Sequence, residues 1–152
     1  MRRRLRRRNE RGLTLIELMV VMAILVMLAA VITTQVVKRV EDAKVAVAHA
    51  DIQSMETALD LYHVHNGTYP SSQQGLQALV EKPTSEPEAK NWDGPYLTKG
   101  VVPTDPWDRG YVYTEPGEHN TDSFDLYSLG RDGVEGGEGK DADIVNWDTS
   151  QR

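Results

Sequence analysis

The stretch LTLIELMVVMAILVMLAAVI, residues 13–32, decides how the rest of the chain is read. Only Thr14 and Glu17 in it are polar, and residues 18–32 form an unbroken apolar run of fifteen. Twenty residues of helix cover about 30 Å, the thickness of a bilayer's hydrocarbon core. The segment therefore reads as a membrane-inserted helix. Directly before it, MRRRLRRRNERG (residues 1–12) carries seven Arg and one Glu, a net charge of +6. Arginines ahead of an apolar segment stay on the cytoplasmic side and mark a bacterial membrane-targeting leader. An Arg run also suits a nucleic-acid arm. The other 140 residues oppose that reading, with ten Lys and Arg against 22 Asp and Glu, a net of −12. No nucleic-acid partner is expected.

An ordinary secretory signal closes with a small-x-small cleavage site. Ala29-Ala30 is a weak candidate, but no turn follows it, and neither Pro nor Gly occurs between Leu13 and Asn66. Instead Val36, Val40, Ala43, Val47 and then Ile52, Met55, Leu59, Tyr62 recur mostly at spacings of three and four. The pattern predicts one helix over 13–66, apolar all round in its first part, 13–33, and amphipathic beyond it. Asn66-Gly67 supplies the stop. Glu17 is costly in this setting, since an acid inside a membrane span costs about 2.5–3.5 kcal/mol. Its position reads equally as a hydrated residue at the membrane interface or as an acid with a partner.

Residues 67–152 form the globular part, and the fold class is α+β. A short helix is expected over 73–81, capped by Ser71 or Ser72, with Leu76, Leu79 and Val80 on one face. PTSEPEAKN (residues 83–91) is an exposed loop. Tyr111-Val112-Tyr113-Thr114 and Phe124-Asp125-Leu126-Tyr127-Ser128-Leu129 are the strand candidates, joined by a hairpin loop with Pro116-Gly117. Cysteine is absent, which excludes disulfides, thiolate metal sites and Cys nucleophiles. Ser71, Ser72 and Ser128 lack a His-plus-acid setting. His63 and His65, at i and i+2, diverge on a helix and make a poor zinc pair. Nothing points to an enzyme.

The loop DGVEGGEGKDAD, residues 132–143, holds five carboxylates and four glycines. Hard oxygens on a pliable backbone suit Ca²⁺, which takes six to eight oxygen ligands, some of them carbonyls. It is not an EF-hand, because Val134 and Gly136 stand where that motif needs acids or amides. Taken alone, the loop reads as a solvated acidic turn or as a Ca²⁺ site.

Gly12-Leu13-Thr14-Leu15-Ile16-Glu17 after a basic leader resembles the signal of type IV prepilins. Asn66-Gly67-Thr68-Tyr69-Pro70, Gln74-Gly75-Leu76-Gln77-Ala78-Leu79, Asp105-Pro106-Trp107, Pro116-Gly117-Glu118-His119 and Ser128-Leu129-Gly130-Arg131-Asp132-Gly133 follow in order, and then the acidic loop through Trp147. Together they resemble the major pseudopilin (protein G) family of bacterial type II secretion systems, within the type IV pilin-like superfamily. The sequence departs from that family at Leu13, where Phe is favoured, at Thr34, where a Pro is common, and at Asp108, which often is Gly.

The resemblance implies a long N-terminal helix packed on a small antiparallel sheet, with a metal-binding loop over 129–143. It implies removal of residues 1–12 by a prepilin peptidase cutting after Gly12, with N-methylation of Leu13. Residues 13–33 would be transmembrane and later filament core, and Glu17 would neutralise a neighbouring subunit's N-terminal ammonium. In the loop, Asp132, Asp141 and Asp143 are the implied Ca²⁺ ligands, with the carbonyls of Leu129 and Val134. Glu135 and Glu138 would face solvent, and Lys140 must point away. The implied function is a structural subunit of the pseudopilus that drives export of folded proteins across the outer membrane. Its partners would be other copies of itself, minor pseudopilins and an inner-membrane assembly platform. Its location would be the inner membrane, single-pass, with the globular part in the periplasm. The alternatives are a membrane-anchored pilin for adhesion, motility or DNA uptake, and a membrane-anchored calcium-binding domain. Mass spectrometry of protein from native membranes checks the processing: the expected mature chain starts at N-methylated Leu13, and a start near Val31 would indicate ordinary signal peptidase.

Overall fold

The computed structural model describes residues 12–147, with the side chains of residues 29–38 left out of the description. The leader, residues 1–11, therefore lies outside the described residues, as does the side chain of Thr34. The chain divides into two compact units, residues 1–39 and 40–152. One α-helix, α1, runs Leu15–Asn66. It starts two residues later than the periodicity suggests because Leu13 and Thr14 stay outside the helix. It ends as read from the sequence: Gly67 adopts φ 80° and its N–H reaches the His63 carbonyl at 2.7 Å.

In the second unit, α1 buries one strip. Ala48, Ile52, Met55, Leu59 and Tyr62 are each at most 3% exposed and recur at alternating steps of four and three, so they stack along one face of the helix. Against them lie Leu76, Leu79, Leu97, Tyr111, Phe124, Leu126 and Ile144. The expected helix over 73–81 is shorter than read, a 3-10 helix at Leu76–Leu79. Ser71 does cap, but it caps the preceding turn: its Oγ accepts the Gln74 N–H, and the Gln74 side chain accepts the Ser71 N–H. Gly75 then interrupts the helix at φ 59°, ψ −168°, a conformation that only glycine enters easily.

The sheet is antiparallel and three-stranded, in the order β1 (Val112–Thr114), β2 (Asp125–Ser128), β3 (Ile144–Val145). Tyr113 pairs with Leu126, and Ser128 with Ile144. The third strand has only two residues, too short to carry a readable alternation. Three long side chains tie the loops and strands to α1. The Trp107 indole N–H donates to Glu41 at 3.4 Å, the Tyr111 hydroxyl to Asp51 at 3.0 Å, and the Tyr69 hydroxyl to Asp60 at 3.0 Å. Burial pushes the Tyr111 hydroxyl above its ordinary pKa, so it stays a donor to Asp51.

Asp108 has φ 64°, left-handed backbone that costs a non-glycine residue about 1 kcal/mol, less for Asp. Asp108→Gly relieves that strain while adding freedom to the unfolded chain. The expected net is about 0.5 kcal/mol of added stability, or roughly 2 °C in Tm by thermal unfolding. An unchanged or lower Tm would show that Asp108 is held there at no cost.

Candidate assembly and metal-binding sites

Two regions carry the predicted functional residues. At the N-terminus, Gly12 and Leu13 precede the helix, both exposed, and nothing lies within 4 Å of where a Gly12 side chain would start. Thr14 and Glu17 form a capping box. The Glu17 N–H donates to the Thr14 hydroxyl at 3.3 Å, and the Thr14 N–H donates to the Glu17 carboxylate at 3.4 Å. Between them the two side chains satisfy two backbone donors of the helix end, and the Glu17 carboxylate offers negative charge to the positive end of the helix dipole. The signal for this was in the sequence as Thr-x-x-Glu. Every described side chain from Leu13 to Leu28 is exposed. Among the described residues no helix is long and apolar enough to cross a membrane.

At the other end, loop 129–143 passes through left-handed backbone at Gly130, Gly133, Gly136, Gly137 and Gly139. The three predicted aspartates take different partners. Asp132 accepts the Val134 N–H at 3.1 Å. Asp143 accepts the Gly136 N–H at 2.8 Å on Oδ2, while its Oδ1 is buried with no hydrogen-bond partner. Asp141 accepts two bonds from Arg131, Nη2 at 2.7 Å and Nε at 2.8 Å. The Leu129 carbonyl accepts the Gly133 N–H at 3.2 Å, and Val134 is exposed. Glu135, Glu138 and Lys140 are exposed, as read from the sequence. Among the described residues no three acidic or His side chains form a ready group for a metal ion. The donor set still fits a hard cation. All five predicted ligands offer oxygen, and a buried carboxylate oxygen left unpaired costs about 1–3 kcal/mol that a cation would recover.

Two buried carboxylates that the sequence reading did not single out order the loops on either side of β2, and the first of them reaches this one. Asp105 is 2% exposed and accepts the N–H groups of Trp107 at 3.0 Å and Arg109 at 2.8 Å, and the Ser128 hydroxyl at 2.6 Å. Arg109, Nε 3.8 Å from Asp105, donates to the Gly130 carbonyl and packs its guanidinium against Gly133. The loop's first turn therefore rests on an ion pair anchored one loop earlier. Asp125 is 3% exposed and gathers the N–H groups of Glu118 (2.8 Å), His119 (2.9 Å) and Asn120 (3.0 Å). The His119 ring adds a contact at 3.1 Å and stacks on Trp147 at 4.0 Å. Gly117 makes this possible, because a Cβ there would sit 2.5 Å from the Asp125 carboxylate. His63 stacks on Tyr69 and His65 contacts the Tyr96 hydroxyl, so the two diverge as expected.

Comparison with known proteins identifies the relatives. Residues 35–147 match the family model for type II secretion system protein G, and residues 7–33 match the prokaryotic N-terminal methylation motif. The type II secretion system core protein G of Pseudomonas aeruginosa is 54% identical over 146 residues, covering 95% of this chain and 99% of that protein. The core protein G of Vibrio cholerae is 45% identical, covering 92% of this chain and 93% of that protein. The crystal structure of the major pseudopilin from the type 2 secretion system of enterohaemorrhagic Escherichia coli matches with a TM-score of 0.61 at 36% identity. It covers 73% of this chain and 92% of its own.

Burial alone would raise the Asp125 pKa, but the N–H groups of His119 and Asn120, the His119 ring and the Glu118 N–H together hold it below the ordinary 3.8. A depressed folded-state pKa gives stability that is present above the unfolded value and lost as pH falls through the folded one. Acid unfolding of the wild type should therefore show a loss beginning below about pH 4. Asp125→Asn, which keeps the shape and removes the charge, should cost about 2 kcal/mol at pH 7 and flatten that acid limb in denaturant titrations at several pH values. An acid limb unchanged in the variant would assign the pH dependence elsewhere.

Proposed function

The chain belongs to the type II secretion system protein G family, and from that membership we infer that it polymerises through α1 into a periplasmic pseudopilus that drives export of folded proteins. It is a structural pseudopilin subunit and not an enzyme. As a pseudopilin with an N-terminal methylation motif it is a membrane-anchored envelope protein. The reading extends to a single inner-membrane pass by residues 13–33, with the globular part, residues 67–152, on the periplasmic side. Residues 1–12 are removed by a prepilin peptidase after Gly12, and Leu13 is methylated. Other copies of the chain, minor pseudopilins and an inner-membrane platform are the partners.

The observation that carries this reading is apolar surface that the chain leaves uncovered. From Leu13 to Leu28 every described side chain is exposed. In the second unit α1 also has an exposed seam opposite solvent-poor neighbours: Val40, Ala43, Val47, Ala50, Ser54, Thr57, Leu61 and Val64, at strict steps of three and four. That is the seam spacing of helices that pack on other helices. Small residues within it permit close approach. In this reading Glu17 leaves its own capping box to meet a neighbour's terminal ammonium, which gives a costly intramembrane charge a partner.

The C-terminal loop is read as a Ca²⁺ site with Asp132, Asp141 and Asp143 and the carbonyls of Leu129 and Val134 as ligands. The ion would cross-link the loop and fill the demand of the unpaired Asp143 Oδ1. Arg109, through Gly130, holds the loop's entry in place.

Two substitutions test polymerisation. Glu17→Ala should leave membrane insertion and cleavage intact and abolish filaments seen by electron microscopy after overexpression. Val47→Asp, on the outer seam, should leave the melting temperature of the subunit nearly unchanged, as exposed substitutions do, and also block filaments. Normal filaments from both variants would refute assembly through α1.

A further inference from the structure

The calcium reading of loop 129–143 leaves one residue without a role, Arg131. It stands next to Asp132, yet reaches ten residues ahead to Asp141, placing Nη2 at 2.7 Å and Nε at 2.8 Å from the same oxygen, Oδ1. We propose that Arg131 is the loop's internal counter-cation, holding Asp141 until a divalent ion displaces it. The proposal rests on the calcium reading and adds a competitor to it.

Geometry says which of the two partners moves. Asp141 closes the 3-10 turn Gly139–Asp141, and its carbonyl lies so near Gly137 that a Cβ there would come within 2.3 Å. The Asp141 backbone is therefore fixed, and its short side chain, 38% exposed, has little reach of its own. The Arg131 side chain is 45% exposed and can swing into water without breaking a buried contact. Arg109, the loop's other guanidinium, differs: it lies beside the buried Asp105 and donates to the Gly130 carbonyl, so it stays. The nearby Asp143 keeps a buried, unpaired Oδ1 while Arg131 occupies Asp141. One monovalent guanidinium satisfies one carboxylate; a divalent ion satisfies several oxygens at once.

The exchange has a cost and a consequence. An exposed ion pair is worth up to about 1 kcal/mol, so competition by Arg131 weakens the divalent ion about threefold to fivefold. A monovalent ion gains nothing by replacing a guanidinium that is already bonded twice. The device therefore raises the threshold for Ca²⁺ and keeps the loop folded below that threshold.

The test uses the full chain in detergent micelles, titrated with CaCl₂ by calorimetry, with melting curves in chelator. Arg131→Ala should bind Ca²⁺ about threefold to fivefold more tightly while melting lower in chelator, a combination that a merely structural arginine would not give. Arg131→Lys, which keeps the charge, should return affinity toward the wild type. In the wild type, the NMR signal of the Arg131 Nε–H should shift on Ca²⁺ addition as its bond to Asp141 breaks. Ca²⁺ binding that is equal or weaker in Arg131→Ala overturns the competitor role and leaves the calcium site standing. No Ca²⁺ binding in either protein overturns both.

Discussion

The second unit depends on one strip of α1. Its three strands hold nine residues in total, too few for an independent sheet. Without cysteine there is no covalent staple to offset the entropy of ordering so much loop. Ala48, Ile52, Met55, Leu59 and Tyr62 supply the missing wall, and Leu79, Phe124, Leu126 and Ile144 pack onto it. The helix is therefore shared. One face completes a core, and the rest of its surface remains for other helices. A subunit built this way has a stable folded part and an unsatisfied one along a single element.

Beyond that core, the loops are ordered by buried acids. Asp105 and Asp125 each draw several backbone N–H groups from a loop that has no regular structure of its own. A carboxylate suits this task because it accepts several hydrogen bonds, and bonds to a charged acceptor are stronger than neutral ones. The two acids organise opposite flanks of β2. Asp125 belongs to the strand itself, and Asp105 reaches it through Ser128. The C-terminal loop is thus attached to a framework that these carboxylates order.

What was legible in the sequence follows from how local the cause was. The helix showed because fifty residues without Pro or Gly leave a periodicity that tertiary structure need not rescue, and its end showed because Asn66-Gly67 is a local signal. β1 and β2 showed as β-rich runs. β3 did not, since Ile144-Val145 becomes a strand only by pairing with Tyr127 and Ser128. The short helix was overextended because Leu76, Leu79 and Val80 suggest a face, while the backbone angle at Gly75 is set by the close turn before it. At the sites, acid and glycine content marked loop 129–143, but partners more than twenty residues away did not show, as with Asp105 and Ser128 of β2. Nor did the Arg131–Asp141 pair, which needs the loop's path to bring its ends together. The capping box at Thr14 and Glu17 is a local signal too, legible as Thr-x-x-Glu at the start of the apolar run.

Three of the ties between α1 and the rest of its unit, from Trp107 to Glu41, Tyr111 to Asp51 and Tyr69 to Asp60, are spaced nine or ten residues apart along the helix. At 1.5 Å per residue they span roughly 28 Å of its length. A thrust along the helix axis therefore meets them in shear and side by side. Within residues 40–152 a load along the helix would thus be divided among several fasteners and the apolar strip between them.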